Sequence, residues 1–281
     1  MPDRLPREAD VLPAAPALAS APALASAPAA GAPPSRRVLG VRFDATTYAD
    51  ATARILAWAR ADESRVVCCS NTHSAVEAQD SPAFAAALDR ASLNTPDGVP
   101  VVWALRHLGL AAAERVYGPD LTLHVLRAAA AAGVPVAFYG SSPETLAALA
   151  ARLPALAPGL DVRALVSPPY RALTDAEDAA YTAEIAASGA RILFVGLGCP
   201  RQELWCDAHA GRIPAVMVAV GAAFDFHAGR VRQAPPALQR AGLEWAFRLA
   251  MEPRRLWRRY ARVVPRFMLG FARQVAGRDP V

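Results

Sequence analysis

A succession of short apolar runs that do not alternate with polar residues constrains this chain more than any other feature. Val38 to Phe43, Arg65 to Ser70, Val134 to Tyr139, Asp161 to Val166, Arg191 to Val195 and Ala215 to Val220 each read as a strand. A strand with one wet face alternates, whereas a run that is apolar throughout must be covered on both faces. Helix signals stand between the runs. Thr46-Thr47 caps a helix reaching about Arg60, and Ser81-Pro82 supplies a serine cap with proline in the first turn. Asn94-Thr95-Pro96-Asp97-Gly98 predicts a turn with a helix beyond it. Gly140-Ser141-Ser142-Pro143-Glu144 combines a tight turn, a cap and a helix start, and Thr174 to Glu177 form a capping box. The pattern predicts an α/β fold: a Rossmann-like, mostly parallel sheet with helices on both faces, plus a basic helical C-terminal appendage. A chain of 281 residues accommodates one large domain with such an appendage.

The two ends differ from the middle. Residues 1–36 predict a disordered tail, because Val11 to Pro34 is almost entirely Ala, Pro, Ser, Leu and Gly, with ALASAP occurring twice. Small side chains bury too little area to offset ordering, and proline interrupts helices. Asp3, Glu8 and Asp10, with those prolines, argue against a secretory signal. The α/β domain is expected over 37–235 and the appendage over 236–281. All 30 basic residues are arginines, and ten of them follow from Arg240 onward against Glu244, Glu252 and Asp279. That end therefore carries +7 in a chain whose total is +5. Cys68, Cys69, Cys199 and Cys206 form no CxxC pair, which predicts buried free thiols in a reducing compartment. No apolar run has the length of a membrane span.

In open α/β sheets ligands bind beyond the carboxyl ends of the strands. Asn71-Thr72, Thr95 to Gly98, Gly140-Ser141-Ser142, Gly196 to Glu203 and Gly221 to Asp225 fall at or near such ends. The loops holding Gly140, and Gly196 with Gly198, either offer backbone amides to a phosphate or are tight strand-to-helix turns. The dinucleotide fingerprint is incomplete and a P-loop lysine is absent, which disfavours a nicotinamide-dependent oxidoreductase. Asp97, between Pro96 and Gly98, either caps the next helix or serves as a general base. An ordinary aspartate titrates at about 4, so it takes a hydroxyl proton only as that hydroxyl attacks. Asp225, between Phe224 and Phe226, is the competing carboxylate. Gln202 both donates and accepts, which suits a hydroxyl or a uracil edge; Glu203 is read as favouring a helix amino terminus. The histidines 73, 107, 124, 209 and 227 match no metal-ligand spacing, and His227 reads as an ordinary polar residue. No metal and no cofactor are expected.

Beyond Arg240, Trp245, Phe247, Leu256, Trp257, Tyr260, Val263, Phe267, Met268 and Phe271 are interleaved with arginines. Such a segment suits an anionic membrane surface or an oligomer interface. Its helical spacing and large apolar load disfavour nucleic acid. Arg255, Arg258 and Arg259 can also clamp a diphosphate.

Together these residues make the sequence resemble the bacterial WecG/TagA/CpsF family of glycosyltransferases, from about Val38 to Phe271. The resemblance rests on Asn71-Thr72, Thr95 to Gly98, Arg115 to Leu121 (RVYGPDL), Gly196 to Glu203 (GLGCPRQE) and Gly221 to Gly229 (GAAFDFHAG). Gly242 to Trp245 (GLEW) and Glu252 to Tyr260 (EPRRLWRRY) complete it. It implies inverting transfer of N-acetylmannosamine, its uronic acid or a related hexose from a UDP-sugar. The implied acceptor is a sugar on undecaprenyl diphosphate, at the inner face of the cytoplasmic membrane, in bacterial surface-polysaccharide synthesis. It also implies a catalytic role for Asp97, site positions for Thr72 and Gln202, and a C-terminal appendage that meets the membrane and closes over the site. The chain has Ser74 where the family often carries a second asparagine, and Pro100 where many members have glycine.

The expected site therefore comprises Asp97 and Thr72 as catalytic residues. Asn71, Gln202, Gly140, Gly196, Gly198, Asp225, Arg255, Arg258 and Arg259 are the expected binding residues. The alternative is a non-catalytic, membrane-associated nucleotide-binding protein, and the exposed aromatics admit a homo-oligomer.

Overall fold

Ser35–Val38 (β1) and Val41–Asp44 (β2) form an antiparallel hairpin at the start of the described residues, 31–277 of a computed structural model. Residues 1–30 of the expected tail and the last four of the appendage lie outside that range. The single strand expected over Val38 to Phe43 is thus two strands joined at Leu39-Gly40, both of positive φ, as a two-residue hairpin loop requires. Val38, Val41 and Phe43 all reach one core, so the apolar run crosses the turn unbroken.

The chain then alternates. On the N-terminal side come α1 (Tyr48–Arg60), β3 (Arg65–Ser70), α2 (Thr72–Asp80), α3 (Pro82–Arg90), β4 (Leu93–Pro96), α4 (Val99–His107) and α5 (Gly118–Ala132). After these follow β5 (Val136–Gly140), α6 (Pro143–Leu156), β6 (Val162–Val166), α7 (Asp175–Ala187), β7 (Ile192–Gly196), α8 (Arg201–His209), β8 (Val216–Ala219) and α9 (Ala223–His227). α10 (Pro236–Arg240), α11 (Glu244–Met251) and α12 (Pro253–Val275) end the described chain. Strands β3 to β8 make one parallel sheet in the order β4-β3-β8-β7-β5-β6.

The absence of alternation in the strands now has its cause. Along β5, β7 and β8, Ala137, Tyr139, Leu193, Val195, Met217 and Ala219 enter one core, with α2, α3, α4 and α8. Their neighbours Val136, Phe138, Ile192, Phe194, Val216 and Val218 enter the other, with α1, α5, α6 and α9. Both faces are dry, so both sets are apolar.

Two local readings need correction. Asn94-Thr95-Pro96 is not a turn but edge strand β4, paired with β3 alone in this sheet. An edge tolerates proline because its missing N–H faces no neighbouring strand. The hairpin covers that edge: Asn94 N–H donates to Asp44 (2.7 Å) and the Asn94 side chain to Arg42 O (2.6 Å). Helix α2 carried no recognised signal, yet Asn71 and Ser74 cap it reciprocally. The expected caps at Thr47, Ser81, Ser142 and Thr174 all form.

Helix α12 buries Leu256, Val263 and Phe267 and is tied at its far end to the hairpin. Gln274 accepts from Leu39 N–H (2.9 Å) and donates to Arg37 O (2.8 Å). Arg262 and Arg266 both grip Asp80 at the end of α2. No helix among the described residues is long and apolar enough to cross a membrane.

Candidate active site

Every strand of the parallel sheet delivers its carboxyl end to one cavity of about 1070 Å³. Asn71 and Thr72 follow β3, Asp97 and Gly98 follow β4, Val220 and Gly221 follow β8, Gly196 to Cys199 close β7, Ser141 and Ser142 follow β5, and Ser167 follows β6. Helices α11 and α12 roof it with Glu244, Trp245, Arg248, Arg255, Arg259, Tyr260 and Phe267.

Asp97 is pinned at three atoms. Its N–H donates to Ser70 O (2.9 Å), its carbonyl accepts from Arg115 Nε, and carboxylate Oδ2 accepts from Gly118 N–H (2.8 Å). Gly118 opens α5, so Oδ2 meets the positive end of a helix. A Cβ on Gly118 would lie 3.2 Å from that oxygen and 3.3 Å from Val220 O, so any larger residue would push one of them back by a few tenths of an ångström. Burial nevertheless pushes the Asp97 carboxyl up to about 7, against the lowering effects of Arg115, the Gly118 amide and Arg248, with Glu244 adding to the rise. A carboxyl in that state exchanges a proton near neutral pH. The Asx-cap account of Asp97 does not describe its side chain: the α4 cap is Gly98, with no side-chain cap bond, and Asp97 points to α5 instead.

The other predicted residues divide into two groups. Thr72, Asn71, Gln202, Gly196, Gly198, Asp225, Arg255 and Arg259 line the cavity. Within that group Asn71 also caps α2, through His73 N–H (2.9 Å). Gln202 is almost wholly buried, and its Oε1 accepts from Gly198 N–H (3.2 Å) and Gly221 N–H (3.0 Å). It therefore staples the β7 and β8 loops together, and those two amides are already engaged. Asp225 is half-buried; burial raises its pKa, opposed by the Thr145 hydroxyl (3.5 Å), Arg230 and Arg255.

Gly140 and Arg258 do not line the cavity. Gly140, at φ +117°, lets β5 and β7 close together: a Cβ there would come within 2.6 Å of Gly196 O. Arg258 lies on the outer side of α12, over the Trp257 ring at 5.4 Å. Glu203 stands in the first turn of α8, as expected, and is buried there as well. It is 1% exposed, Oε1 accepts from Gln202 Nε2 (2.9 Å), and Oε2 has no partner among the described residues. Burial pushes its carboxyl up to about 7.

Sequence reasoning assigned no site role to Arg115, Tyr117, Arg230, Glu244 or Arg248, which all line the cavity. Arg115 and Tyr117 meet Glu244 across a separation of more than a hundred residues, and no local signal encodes that meeting. His73 also lines the cavity; burial, then Arg259 and Arg262, lower its pKa to about 4, so it is neutral at pH 7. His227 is buried and bonded through Nε2 to Pro119 O (2.9 Å). Cys68, Cys69 and Cys206 are buried free thiols as expected, while Cys199 is a partly buried free thiol at the cavity wall.

The family model for the glycosyl transferase WecG/TagA/CpsF family matches residues 36–280. The chain belongs to that family. It is a glycosyltransferase, and the matched span includes the sheet, the cavity loops and the C-terminal roof alike. The glycosyltransferase thus carries a titratable carboxylate, several arginines and a roof of helices around one cavity.

Proposed function

We propose that this glycosyltransferase inverts configuration while moving an N-acetylmannosamine-type hexosamine, or a related hexose, from UDP to a sugar on undecaprenyl diphosphate. The setting would be bacterial surface-polysaccharide synthesis at the inner face of the cytoplasmic membrane. Asp97 is the observation that carries the reading: a carboxylate in the cavity, one oxygen fixed by a helix N–H, with a proton affinity suited to a base near neutral pH.

The cavity's extent supports a long substrate pair. Six strands at about 4.8 Å spacing span roughly 24 Å, enough for a nucleoside diphosphate, two sugars and the start of a lipid. The β6 and β5 end is polar, with Ser141, Ser142, Ser167, Asp225 and Arg230, and Tyr170 stacks under Arg201 at 4.4 Å. At the β4 end, Val99, Pro100 and Trp103 add an apolar wall next to the cluster of Asp97, Arg115 and Glu244, and Val264 and Met268 of α12 line the same cavity. Nucleotide at the polar end and lipid-linked acceptor beside the apolar wall is the matching arrangement.

In this mechanism the acceptor hydroxyl oxygen attacks the anomeric carbon from the face opposite UDP. The carbon–oxygen bond to UDP breaks as the new glycosidic bond forms, and the hydroxyl proton passes to Asp97. Gly198 and Gly221 amides are committed to Gln202, so arginines gather the charge on departing UDP: Arg230, Arg248, Arg255 and Arg259 face the cavity. Thr72 and Asn71 would orient the acceptor, and Asp225 the hydroxyls of the donor. Segment 236–281 would bring the α/β domain, 37–235, to lipid. Exposed Trp257, Val264, Met268 and Leu269 beside exposed Arg254 and Arg258 fit an anionic membrane surface.

A transfer assay with a panel of UDP-sugars and lipid-diphosphate acceptors, read by product mass, tests the proposal. Asp97→Asn should keep UDP binding and lose about 10²–10⁴ in turnover. UDP binding without transfer to any acceptor would favour the non-catalytic reading instead.

A further inference from the structure

Glu244 opens α11, far in sequence from the sheet, yet both its carboxylate oxygens are spent on the wall around Asp97. Oε2 pairs with Arg115 Nη2 at 2.6 Å, and Oε1 accepts from the Tyr117 hydroxyl at 2.8 Å. Arg115 lies over the Tyr117 ring at 4.1 Å and sends Nε to the Asp97 carbonyl. The ion pair is largely removed from water, with side-chain exposures of 19% and 14%. Pairs of this kind add little net stability, but loss of one partner leaves a costly unpaired charge. Stability is therefore a weak reason for the pair, and its placement is a stronger one.

We infer that Glu244 is a positioning residue for the transfer reaction: it seats the C-terminal roof on the Asp97 end of the cavity and balances the Arg115 charge beside the reacting carboxylate. The inference rests on the reading of Asp97 as the base. The cluster works through one arginine with two neighbours. With Glu244 in place, the guanidinium shares its charge with a roof carboxylate, and Asp97 keeps its affinity for the acceptor proton. Without it, the whole Arg115 charge bears on Asp97, which becomes a weaker base.

The groups facing Asp97 are few. Arg115, Tyr117 and the Gly118 amide come from the entry to α5, Glu244 and Arg248 from α11, Tyr48 from α1 and Cys69 from β3. Burial, and then the neighbouring carboxylates, raise the Tyr48, Tyr117 and Cys69 pKa values above their ordinary range, so these three stay neutral where Asp97 titrates. Arg115 and Arg248 lower the Asp97 pKa and Glu244 raises it. Around Glu244 itself stand Arg115, Tyr117, Asp97 and, from α12, Tyr260.

Glu244→Gln keeps the shape of the side chain and removes its charge. The acidic limb of the kcat/KM profile should then move to lower pH by about one unit, the scale of a single nearby charge, with a several-fold lower plateau. A role in folding alone would lower the profile without moving its limb, and that result, or a wild-type profile, overturns the inference. Asp97→Asn run in parallel separates the two readings. If D97N still turns over, the base assignment has failed; if D97N is inactive and E244Q matches wild type, only the role of Glu244 has failed.

Should E244Q not fold, the neutral pair R115Q/E244Q carries the test, because it leaves no buried charge unpaired. Arg115→Gln alone should raise the limb. The double variant should return it close to wild type if Glu244 acts on Asp97, and a limb equal to that of R115Q alone overturns the inference.

Discussion

The strands of the sheet and the helices of the roof bury their apolar residues in different ways. Phe138, Phe194, Val195 and Val218 are closed off from water on both faces of the sheet. Helix α12 instead buries Leu256, Val263 and Phe267 and leaves Trp257, Val264, Met268 and Leu269 exposed. Charge and hydrogen bonds hold the roof where the apolar contact is thin: Arg262 and Arg266 on Asp80, Glu244 on Arg115, and Gln274 on the hairpin. Apolar burial is not screened by salt, whereas exposed ion pairs are. The proposed base sits on the sheet and the residue proposed to balance it on the roof.

The largest effect is expected at the sheet. Phe194 is fully buried and stacks on Phe138 at 5.3 Å. Phe194→Ala should cost about 3–5 kcal/mol in denaturant unfolding and remove UDP binding and transfer together. Loss of transfer without loss of stability would show that the sheet is not the rigid partner.

Activity should next follow the Asp97 proton. A base with a pKa of about 7 must be unprotonated to work, so kcat/KM should be level above that pH. Below it the value should fall by about tenfold per unit. An acidic limb at pH 4 to 5 would mean that the carboxylate is as wet as an ordinary aspartate.

At the roof, Asp80→Asn should release α12 from α2. The variant should be cut by trypsin beyond Arg248 several times faster than wild type, with the melting transition of the sheet in place. Wild type should approach the same rate at about 1 M salt, where screening acts within about 3 Å. A cleavage rate unchanged by both would mean that apolar contact alone holds the roof.

Stability should also depend on pH. The folded chain holds the Asp97 proton more tightly than the unfolded chain, so that contribution is complete below the unfolded pKa of about 4 and is lost as pH rises through about 7. Asparagine has no proton to lose. D97N should therefore melt on the order of 10 °C above wild type at pH 8.5, for a pKa raised by about three, at about 1.4 kcal/mol per pH unit and about 2–4 °C per kcal/mol, and with it below pH 4. Identical melting at both pH values would place the carboxylate in water.

Much of this was legible in the chain itself. The apolar runs, the caps at Thr47, Ser81, Ser142 and Thr174, and the glycine-rich strand ends specify a parallel α/β sheet and where its ligand loops lie, because each depends on neighbours within a few residues. The hairpin at Leu39-Gly40 and the strand through Pro96 were misread for the same reason: a turn without its usual residues and a strand built from turn-formers are decided by what packs against them. Tertiary structure alone brought Glu244 to Arg115, turned Arg258 outward, placed Gly140 under the cavity and shut Glu203 away from water. Side-chain direction and proton affinity depend on distant segments converging around each group, and nothing in local spacing carries that information.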